Sequence, residues 1–153
     1  MTGDGRAALR YRPMRTEDLD SVAAIEAAVY THPWTRGNFA DSLTAGHSCW
    51  VVEARGGIEA YGVLMAGAGE AHLLNISVAS GSQGCGIGAQ LLEFFMNRAR
   101  EFDCTTMLLE VRRSNERARR LYARSGFHEI AIRRNYYPAL GGREDAVLMG
   151  RDL

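Results

Sequence analysis

A glycine-rich segment is the part of the sequence best suited to bind an anion. The segment Gln83-Gly84-Cys85-Gly86-Ile87-Gly88 lies between a predicted strand and a predicted helix. Its unhindered backbone N–H groups can therefore converge at the positive end of a helix dipole. A diphosphate suits such a cradle, because fixed N–H donors contact oxygen without a side-chain charge. A flexible turn that caps a helix would explain the same glycines, so the spacing alone leaves both interpretations open.

Two other nucleotide-binding loops fit this segment poorly. A P-loop requires a lysine, and the chain contains none among its 18 basic residues. A Rossmann fingerprint follows the first strand of a βαβ unit, whereas this segment follows the last strand of a predicted meander.

The spacing Gln83-x-x-Gly86-x-Gly88 after a strand resembles the Q/R-x-x-G-x-G/A motif of the GNAT superfamily of N-acetyltransferases. In that superfamily the loop holds the pyrophosphate of coenzyme A, and the preceding strand bonds the pantetheine arm through its main chain. The resemblance implies acetyl-CoA as the only cofactor and no metal. One departure is Cys85, where close relatives usually carry arginine or lysine. The residues implied to contact the cofactor here are Ile76, Ser77, Val78, Gln83, Gly84, Cys85, Gly86, Ile87, Gly88 and Ala89.

Glu110 is an acid inside an apolar strand, Met107-Leu108-Leu109-Glu110-Val111. An ionised carboxylate is costly there unless it is paired or reaches a cleft. One explanation is an ion pair with a neighbouring arginine. The other is catalysis: an α-amino group with a pKa near ~8 is largely protonated at neutral pH, and a carboxylate can remove the proton that prevents attack on a thioester.

Tyr122 shares one face of a predicted helix with Asn115, Ala118 and Arg119, at i+7, i, i+3 and i+4. A phenol with a pKa near ~10 can protonate a departing thiolate. Core packing with a satisfied hydroxyl is the alternative explanation for a single helical tyrosine.

Together these residues resemble the RimI branch of the superfamily, the ribosomal-protein-alanine N-acetyltransferases. The resemblance implies Glu110 as proton acceptor, Tyr122 as proton donor and Asn115 as a coenzyme A contact. It also implies that the acceptor is the amino-terminal alanine of a small-subunit ribosomal protein. The matching segments are His32-Pro33-Trp34, Asn75-Ile76-Ser77-Val78, Leu109-Glu110-Val111-Arg112, Asn115, Ala118, Leu121-Tyr122, Gly126-Phe127, Arg133-Arg134-Asn135-Tyr136-Tyr137-Pro138 and Glu144-Asp145-Ala146.

Five further residues are candidates for contact with the acceptor peptide. Trp34, Tyr136 and Tyr137 are large rings near turns, although Trp34 can also anchor a helix corner and Tyr136 can close the core. Glu144 and Asp145 can attract a cationic amino terminus, or can simply protect a strand edge from aggregation.

These residues must be positioned by a mixture of helices and strands. Turn residues, caps and periodicity predict the order β-αα-βββ-α-β-α-ββ, an α+β fold with a GNAT-like mixed, mostly antiparallel sheet flanked by helices. We expect a single N-acetyltransferase domain over residues 1–153, with residues 1–8 loosely ordered. Thr16 and Ser114 are the predicted N-caps of the first and last helices. The predicted elements are Leu9–Met14, Thr16–Tyr30, Thr35–Leu43, Cys49–Ala54, Ala60–Ala66, His72–Val78, Gly86–Phe102, Thr106–Val111, Ser114–Ser125, Phe127–Tyr136 and Asp145–Met149.

The composition limits the classes of partner. The 18 basic and 18 acidic residues balance, so no overall field favours nucleic acid or an anionic membrane. Three cysteines without a CxxC pair argue against a disulfide scaffold or a structural zinc site. With no signal peptide or apolar run of membrane-spanning length in the sequence, we expect a soluble cytoplasmic enzyme whose partner is a protein N-terminus. The sequence leaves the oligomeric state open.

Two other functions are compatible with the same residues. The acceptor can be a lysine side chain or a small amine such as a polyamine or aminoglycoside. A non-enzymatic alternative is an acyl-CoA-binding sensor module, which the presence of both Glu110 and Tyr122 argues against.

Overall fold

The computed structural model describes residues 8–153, which form one seven-stranded sheet with four α-helices packed on it. Short 3-10 helices precede the first and third α-helices, at Thr16–Asp18 and Ser80–Ser82. In chain order the elements are β1 (Arg10–Pro13), α1 (Leu19–Val29), α2 (Arg36–Thr44), β2 (Ser48–Ala54), β3 (Gly57–Gly67), β4 (Glu70–Val78), α3 (Ile87–Glu101), β5 (Thr106–Arg112), α4 (Glu116–Arg124), β6 (His128–Ala139) and β7 (Gly142–Asp152).

The two central strands of the sheet, β4 and β5, are paired over only part of their length. The strand order of the sheet is β1-β2-β3-β4-β5-β7-β6, and only the β4–β5 pair is parallel. That pairing runs from Glu70 opposite Thr106 to Leu73 opposite Leu109 and then stops. Both strands continue beyond this point, so an open gap lies between the end of β4 and the end of β5.

A β-bulge in β4 decides which side chains face the gap. Val63 of β3 is opposite Asn75, but the next residue of β3 is opposite Leu73, so Leu74 is an extra residue. An extra residue reverses the alternation of side chains. Before the bulge, Ala71 and Leu73 face the core under α3; after it, Asn75 and Ser77 face α1.

The two faces of the sheet have separate cores. One lies beneath α3 and α4 and contains Phe95, Leu91 and Tyr122, together with Leu109 and Val111 of β5. The other lies beneath α1 and α2, where Leu19, Val22 and Phe39 pack on the opposite face of β2 and β3. Because side chains alternate along a strand, Glu110 points away from the α3–α4 core.

The predicted order of elements and the α+β class are confirmed, and the meander of β2, β3 and β4 is antiparallel as expected. Two predicted caps are wrong. Residues Thr16–Asp18 form a 3-10 turn instead of capping a helix. Ser114 is not the cap of α4, because its hydroxyl donates to Glu144, and the side chain of Asn115 accepts from the N–H of Ala118 instead.

Most of the segment predicted to be loosely ordered, residues 1–8, lies outside the described residues. Within residues 8–153, no helix has the length and apolar character needed to cross a membrane.

Candidate active site

The end of β4 presents an open strand edge to the gap. The carbonyl oxygen of Ile76 accepts from the Tyr30 hydroxyl at 3.2 Å, and that of Val78 accepts from Nε2 of Gln83 at 3.0 Å. In an extended strand the N–H and C=O of one residue point to the same side. The main chains of Ile76 and Val78 therefore face the gap, where an extended ligand can pair with them.

Ser77 has a different orientation from the one predicted. Ala79, two residues after Ser77, donates its N–H to the carbonyl oxygen of Glu59, on the β3 side of the strand. By alternation the main chain of Ser77 also faces β3, where it lies opposite Tyr61. Ser77 reaches the cleft through its side chain, so Ile76 and Val78 are the better candidates for main-chain contacts with a ligand.

The glycine-rich loop presents free donors at the start of α3. Gly84 and Gly86 both have a φ of +82°, a left-handed conformation that glycine adopts without strain. Within residues 8–153, the N–H groups of residues 84 to 89 have no protein acceptor. Together with the helix dipole they form a site for an anion such as a diphosphate.

Gln83 connects the two sides of the cleft. Its Nε2 donates to Val78 on β4, and its Oε1 accepts from the guanidinium of Arg117 on α4 at 2.9 Å. The same guanidinium lies beside Gly84, 3.9 Å from where a Cβ would stand. Arg117 forms no ion pair within the described part of the chain, so its charge is available to a ligand on the loop.

The cleft between these elements has a volume of about 590 Å³. It is bounded by the end of α1, the open edge of β4, the glycine-rich loop and α4. Of the predicted cofactor residues, Cys85 and Ile87 do not line it, because the thiol is exposed and Ile87 packs into the core. The predicted residues that do line it are Ile76, Ser77, Val78, Gln83, Gly84, Gly86, Gly88, Ala89, Asn115 and Tyr122.

Tyr122 brings a phenol to this cleft. The residue is 7% exposed and lines the cleft, and its hydroxyl forms no hydrogen bond with another residue of the range 8–153. Burial, followed by the neighbouring Tyr30 and Tyr137, raises the pKa of Tyr122 well above its usual value. The hydroxyl therefore carries its proton throughout the physiological pH range.

Glu110 stands where the two strands separate, one residue beyond the last β4–β5 pair. It does not line the cleft described above. Its side chain is 26% exposed and lies on the face of the sheet opposite to α3 and α4. Its Oε1 is 3.3 Å from Nε of Arg133 on β6, so its ion-pair partner is on another strand and is not one of the neighbouring arginines expected from the sequence. The carboxylate can still meet a group that enters the gap from that face.

Two tyrosines of β6 surround the carboxylate. The charge of Glu110, then burial, raises the pKa of Tyr136. Burial, then the charge of Glu110, raises the pKa of Tyr137 to about 12. The charge of Tyr137 is in turn the last of the causes that raise the pKa of Tyr122.

Similarity to known proteins agrees with this geometry. Residues 19–127 match the family model described as acetyltransferase (GNAT) family. The chain belongs to the GNAT family.

Among its relatives within the GNAT family is the ribosomal protein bS18-alanine N-acetyltransferase of Escherichia coli strain K12. The two are 36% identical over 136 residues, which is 89% of this chain and 92% of the relative. The crystal structure of the Escherichia coli ribosomal-protein-S18-alanine N-acetyltransferase superimposes with a TM-score of 0.88 at 34% identity, over 95% of this chain and 94% of that one. Ard1 from Thermoplasma volcanium also gives a TM-score of 0.88, at 27% identity over 95% and 98% of the two chains. The protein is thus an acetyl-CoA-dependent N-acetyltransferase with the GNAT fold.

The residues present suit the cofactor of a GNAT enzyme. The unpaired N–H groups of the glycine-rich loop suit a pyrophosphate, and the open edge of β4 suits the two amides of a pantetheine arm. Among the described residues, no group of three or more His, Cys, Asp or Glu side chains is arranged to hold a metal ion.

The two acidic residues of β7 that were predicted to attract the acceptor, Glu144 and Asp145, already have hydrogen-bond and ion-pair partners within the protein. Glu144 accepts from Arg112 at 3.1 Å and from the hydroxyl and N–H of Ser114. Burial acts to raise its pKa, but these hydrogen bonds outweigh it and the pKa of Glu144 is lowered. Asp145 accepts from the N–H of Asn135 at 3.0 Å and pairs with Arg113 at 3.4 Å. Glu144 thus joins β7 to the segment between β5 and α4, Asp145 joins β7 to β6 as well, and attraction of a substrate stays a prediction.

The aromatic candidates lie in different surroundings. Trp34 packs against Phe39 with 5.1 Å between ring centroids, at the corner between α1 and α2. Tyr136 and Tyr137 pack edge to face at 5.0 Å, and the Arg112 guanidinium lies 4.5 Å from the Tyr137 ring. Tyr136 is 41% exposed instead of closing the core, so it is available to a peptide.

Sequence reasoning missed Glu26. This α1 residue is 2% exposed and forms hydrogen bonds with side chains of β3 and β4 behind the cleft. The signal was present, since an acid in the apolar stretch Ala23-Ala24-Ile25-Glu26-Ala27-Ala28-Val29 is as exceptional as Glu110 in its strand.

Proposed function

We propose that this protein acetylates the α-amino group of a protein N-terminus, and that its acceptor is the amino-terminal alanine of ribosomal protein bS18. The observation that carries the proposal is the 36% identity to the Escherichia coli bS18-alanine N-acetyltransferase across nearly the whole length of both chains. A Bacillus subtilis relative with the same activity in its name, qualified there as putative, is 34% identical over 140 residues.

The cofactor occupies the cleft in this proposal. The N–H groups of residues 84 to 89 bind the pyrophosphate, and the open edge of Ile76 and Val78 pairs with the pantetheine arm. Bound acetyl-CoA supplies a thioester carbon that a neutral amine can attack. Asn115 lines the cleft where its amide nitrogen is free to contact the cofactor, since its Oδ1 caps α4.

Glu110 and Tyr122 divide the proton transfers. Glu110 accepts a proton from the ammonium group of the acceptor, directly or through water, which leaves a nitrogen lone pair for bond formation. Tyr122 gives its proton to the sulfur as the carbon–sulfur bond breaks. The raised pKa of Tyr122 keeps this donor protonated before the reaction. The two groups approach from opposite faces of the sheet and meet at the gap between β4 and β5.

The peptide approaches from the face that carries Glu110. Tyr136 and Tyr137 flank the carboxylate and can contact the peptide backbone, and Trp34 borders the same face from the α1–α2 corner. Glu144 and Asp145 join β7 to its neighbouring segments there and add negative charge near a cationic amino terminus.

Mass spectrometry on a peptide panel tests the acceptor. The panel contains the bS18 amino-terminal peptide, versions that differ only in the first residue, and an amino-terminally blocked version with an internal lysine. We expect a gain of one acetyl group on the alanine-initiated peptide and none on the blocked one. Acetylation of the blocked peptide, or of polyamines and aminoglycosides in preference to peptides, would overturn the proposal in favour of a side-chain or small-amine acetyltransferase. Binding of acetyl-CoA without turnover of any acceptor would favour a sensor module.

We also place the enzyme in the cytoplasm. Cys49, Cys85 and Cys104 are all unpaired thiols in the structure, as expected in a reducing compartment. Ribosomal proteins are made there as well, so substrate and enzyme would share one compartment.

A further inference from the structure

Glu26 is a buried carboxylate that the proposed chemistry does not use. Its Oε1 accepts from the Tyr61 hydroxyl at 2.7 Å and its Oε2 from the N–H of Trp34 at 3.0 Å. The amide of Asn75 donates to both oxygens at 3.3 and 3.4 Å, and Ser77 Oγ lies 3.4 Å from Oε1. Four residues from three different parts of the chain therefore converge on one side chain.

The donors identify what Glu26 holds. Asn75 and Ser77 belong to the part of β4 that follows the bulge, and both side chains face α1 only because Leu74 reverses the alternation. This part of β4 has lost β5 as a neighbour. One edge of this segment of β4 is hydrogen-bonded to β3. Its Asn75 and Ser77 side chains are held by Glu26.

The same network reaches the cleft. Tyr30 lies one helical turn after Glu26, and its hydroxyl is 3.0 Å from Ser77 Oγ and 3.2 Å from the carbonyl oxygen of Ile76. Residues four apart on a helix share a face. Glu26 thus holds the segment Asn75–Val78 through the side chains of Asn75 and Ser77. Tyr30 holds it through the main-chain carbonyl of Ile76 at the open edge.

Burying a carboxylate between a helix and a sheet costs free energy, because the charged group loses its hydration. Well-packed apolar groups would stabilise the same junction at least as well. Hydrogen bonds, however, fix direction and distance, which apolar contacts do not. A strand edge that must align with the amides of a ligand needs that accuracy, because a small displacement breaks both hydrogen bonds at once.

We propose that Glu26 is a positioning residue that sets the open edge of β4, at Ile76 and Val78, for the pantetheine arm of acetyl-CoA. The inference rests on the proposed placement of the cofactor along this edge. It does not depend on which amine is the acceptor.

Calorimetric binding at fixed temperature tests the proposal with two ligands. Coenzyme A contains the pantetheine arm, and adenosine 3′,5′-bisphosphate represents its nucleotide half without that arm. We expect Glu26→Gln to weaken coenzyme A binding about tenfold, because the amide cannot accept from Tyr61, Trp34 and Asn75 together. Its affinity for adenosine 3′,5′-bisphosphate should equal that of the unmodified protein.

Val22→Ala is the matched control for stability. Val22 is fully buried on the same helix and packs in the α1–α2 core, and its apolar side chain takes no part in the hydrogen bonds to Glu26. It should lower the unfolding temperature and leave both affinities unchanged. If Glu26→Gln does not fold, Asn75→Ala and Ser77→Ala each remove one donor and should show the same selective loss for coenzyme A.

Three results overturn the proposal. Unchanged coenzyme A affinity in Glu26→Gln means that the carboxylate positions nothing, and equal loss for both ligands means that it only supports the fold. Unchanged affinity in Asn75→Ala and Ser77→Ala has the same meaning if Glu26→Gln is unfolded. Because no acceptor is present, these outcomes are separate from failure of the peptide assay: a protein that binds coenzyme A yet leaves the bS18 peptide unmodified refutes only the acceptor.

Discussion

At the scale of single residues, the Glu110 carboxylate has two proposed roles, as an ion-pair partner and as a proton acceptor. Its ion pair with Arg133 explains how the charge is tolerated, and its place at the separation of β4 and β5 explains how it can reach an amine. Both explanations considered from the sequence are therefore compatible with one structure.

Glu110→Gln should lower kcat about 100-fold at pH 7, because the ammonium group loses its proton acceptor. The defect should shrink as the pH rises above about 8, where more of the amine is already neutral. Steady-state kinetics from pH 6 to 9.5 measure both effects. Glu116→Gln, an exposed carboxylate on α4, is the control and should behave as the unmodified enzyme does. A defect of constant size at every pH would contradict the role of base.

Tyr122→Phe should lower kcat about 10- to 100-fold with little change in KM, since it removes only the proton donor for the leaving sulfur. Because the pKa of Tyr122 is raised, the unmodified enzyme should lose no activity from its ionisation up to about pH 10. The hydroxyl has no partner among the described residues, so thermal unfolding should be nearly unaffected. Full activity of the phenylalanine variant would exclude the phenol as general acid.

Arg117 is the cation that α4 places beside the glycine-rich loop, in which Cys85 stands where close relatives usually carry arginine or lysine. Arg117→Ala should weaken coenzyme A binding about tenfold, because one charge-assisted contact to phosphate is lost. KM for the peptide should not change. Arg120→Ala is the matched control, since Arg120 lies on the same helix, is exposed and has only a weak pair with Glu116. Equal affinities of the two variants would show that Arg117 makes no phosphate contact.

At the scale of elements, the beginning of α4 links helix stability to the cleft. Asn115 Oδ1 accepts from the N–H of Ala118 at 3.2 Å, while Ser114 is drawn to Glu144 of β7. The cap thus falls one residue later than the sequence suggested. That shift brings Asn115 to the edge of the cleft, where its amide nitrogen has no hydrogen-bond partner among residues 8–153.

Asn115→Ala should lower the free energy of unfolding by about 1 kcal/mol, the usual loss for an N-cap. Ser114→Ala should cost less, because its hydroxyl bond to Glu144 is exposed to water. Urea denaturation followed by circular dichroism compares the two. A larger loss for Ser114→Ala would restore Ser114 as the cap.

At the scale of the whole molecule, one ion-pair cluster fastens the beginning of the described chain to the sheet. Arg12 of β1 forms two hydrogen bonds with Asp18 at 2.8 Å and one with Glu53 of β2 at 2.6 Å. The cluster thus connects β1, β2 and the start of α1. The hydrogen bonds from Arg12 come first among the causes that lower the pKa of Asp18, and they outweigh the effect of burial.

Asp18→Asn should destabilise the fold by about 2 kcal/mol at pH 7, because it leaves Arg12 with one charged partner. A lowered pKa in the folded state means that this stabilisation is present above the unfolded value and is lost as the pH falls through the folded value. The two proteins should therefore converge in stability below about pH 4. Urea denaturation over a pH series measures this, with Asp20→Asn, 88% exposed, as the control. A difference that persists undiminished at pH 2 would contradict the ion-pair origin.

Local patterns in the sequence determined the order of helices and strands, the antiparallel meander and the glycine-rich loop at the start of α3. These features depend on periodicity, caps and turns within a few residues, so they can be read from neighbouring positions. The resemblance of motifs correctly indicated the family and its cofactor for the same reason, since each motif is a short contiguous segment.

Tertiary structure alone decided three features of the site. The bulge at Leu74 arises from the register between two strands, and it determines that Ile76 and Val78, and not Ser77, present their main chains to the gap. The pairing of Glu110 with Arg133 and the gathering of four donors around Glu26 join residues far apart in the chain. Such contacts depend on how whole elements pack, and no spacing within a single segment encodes them.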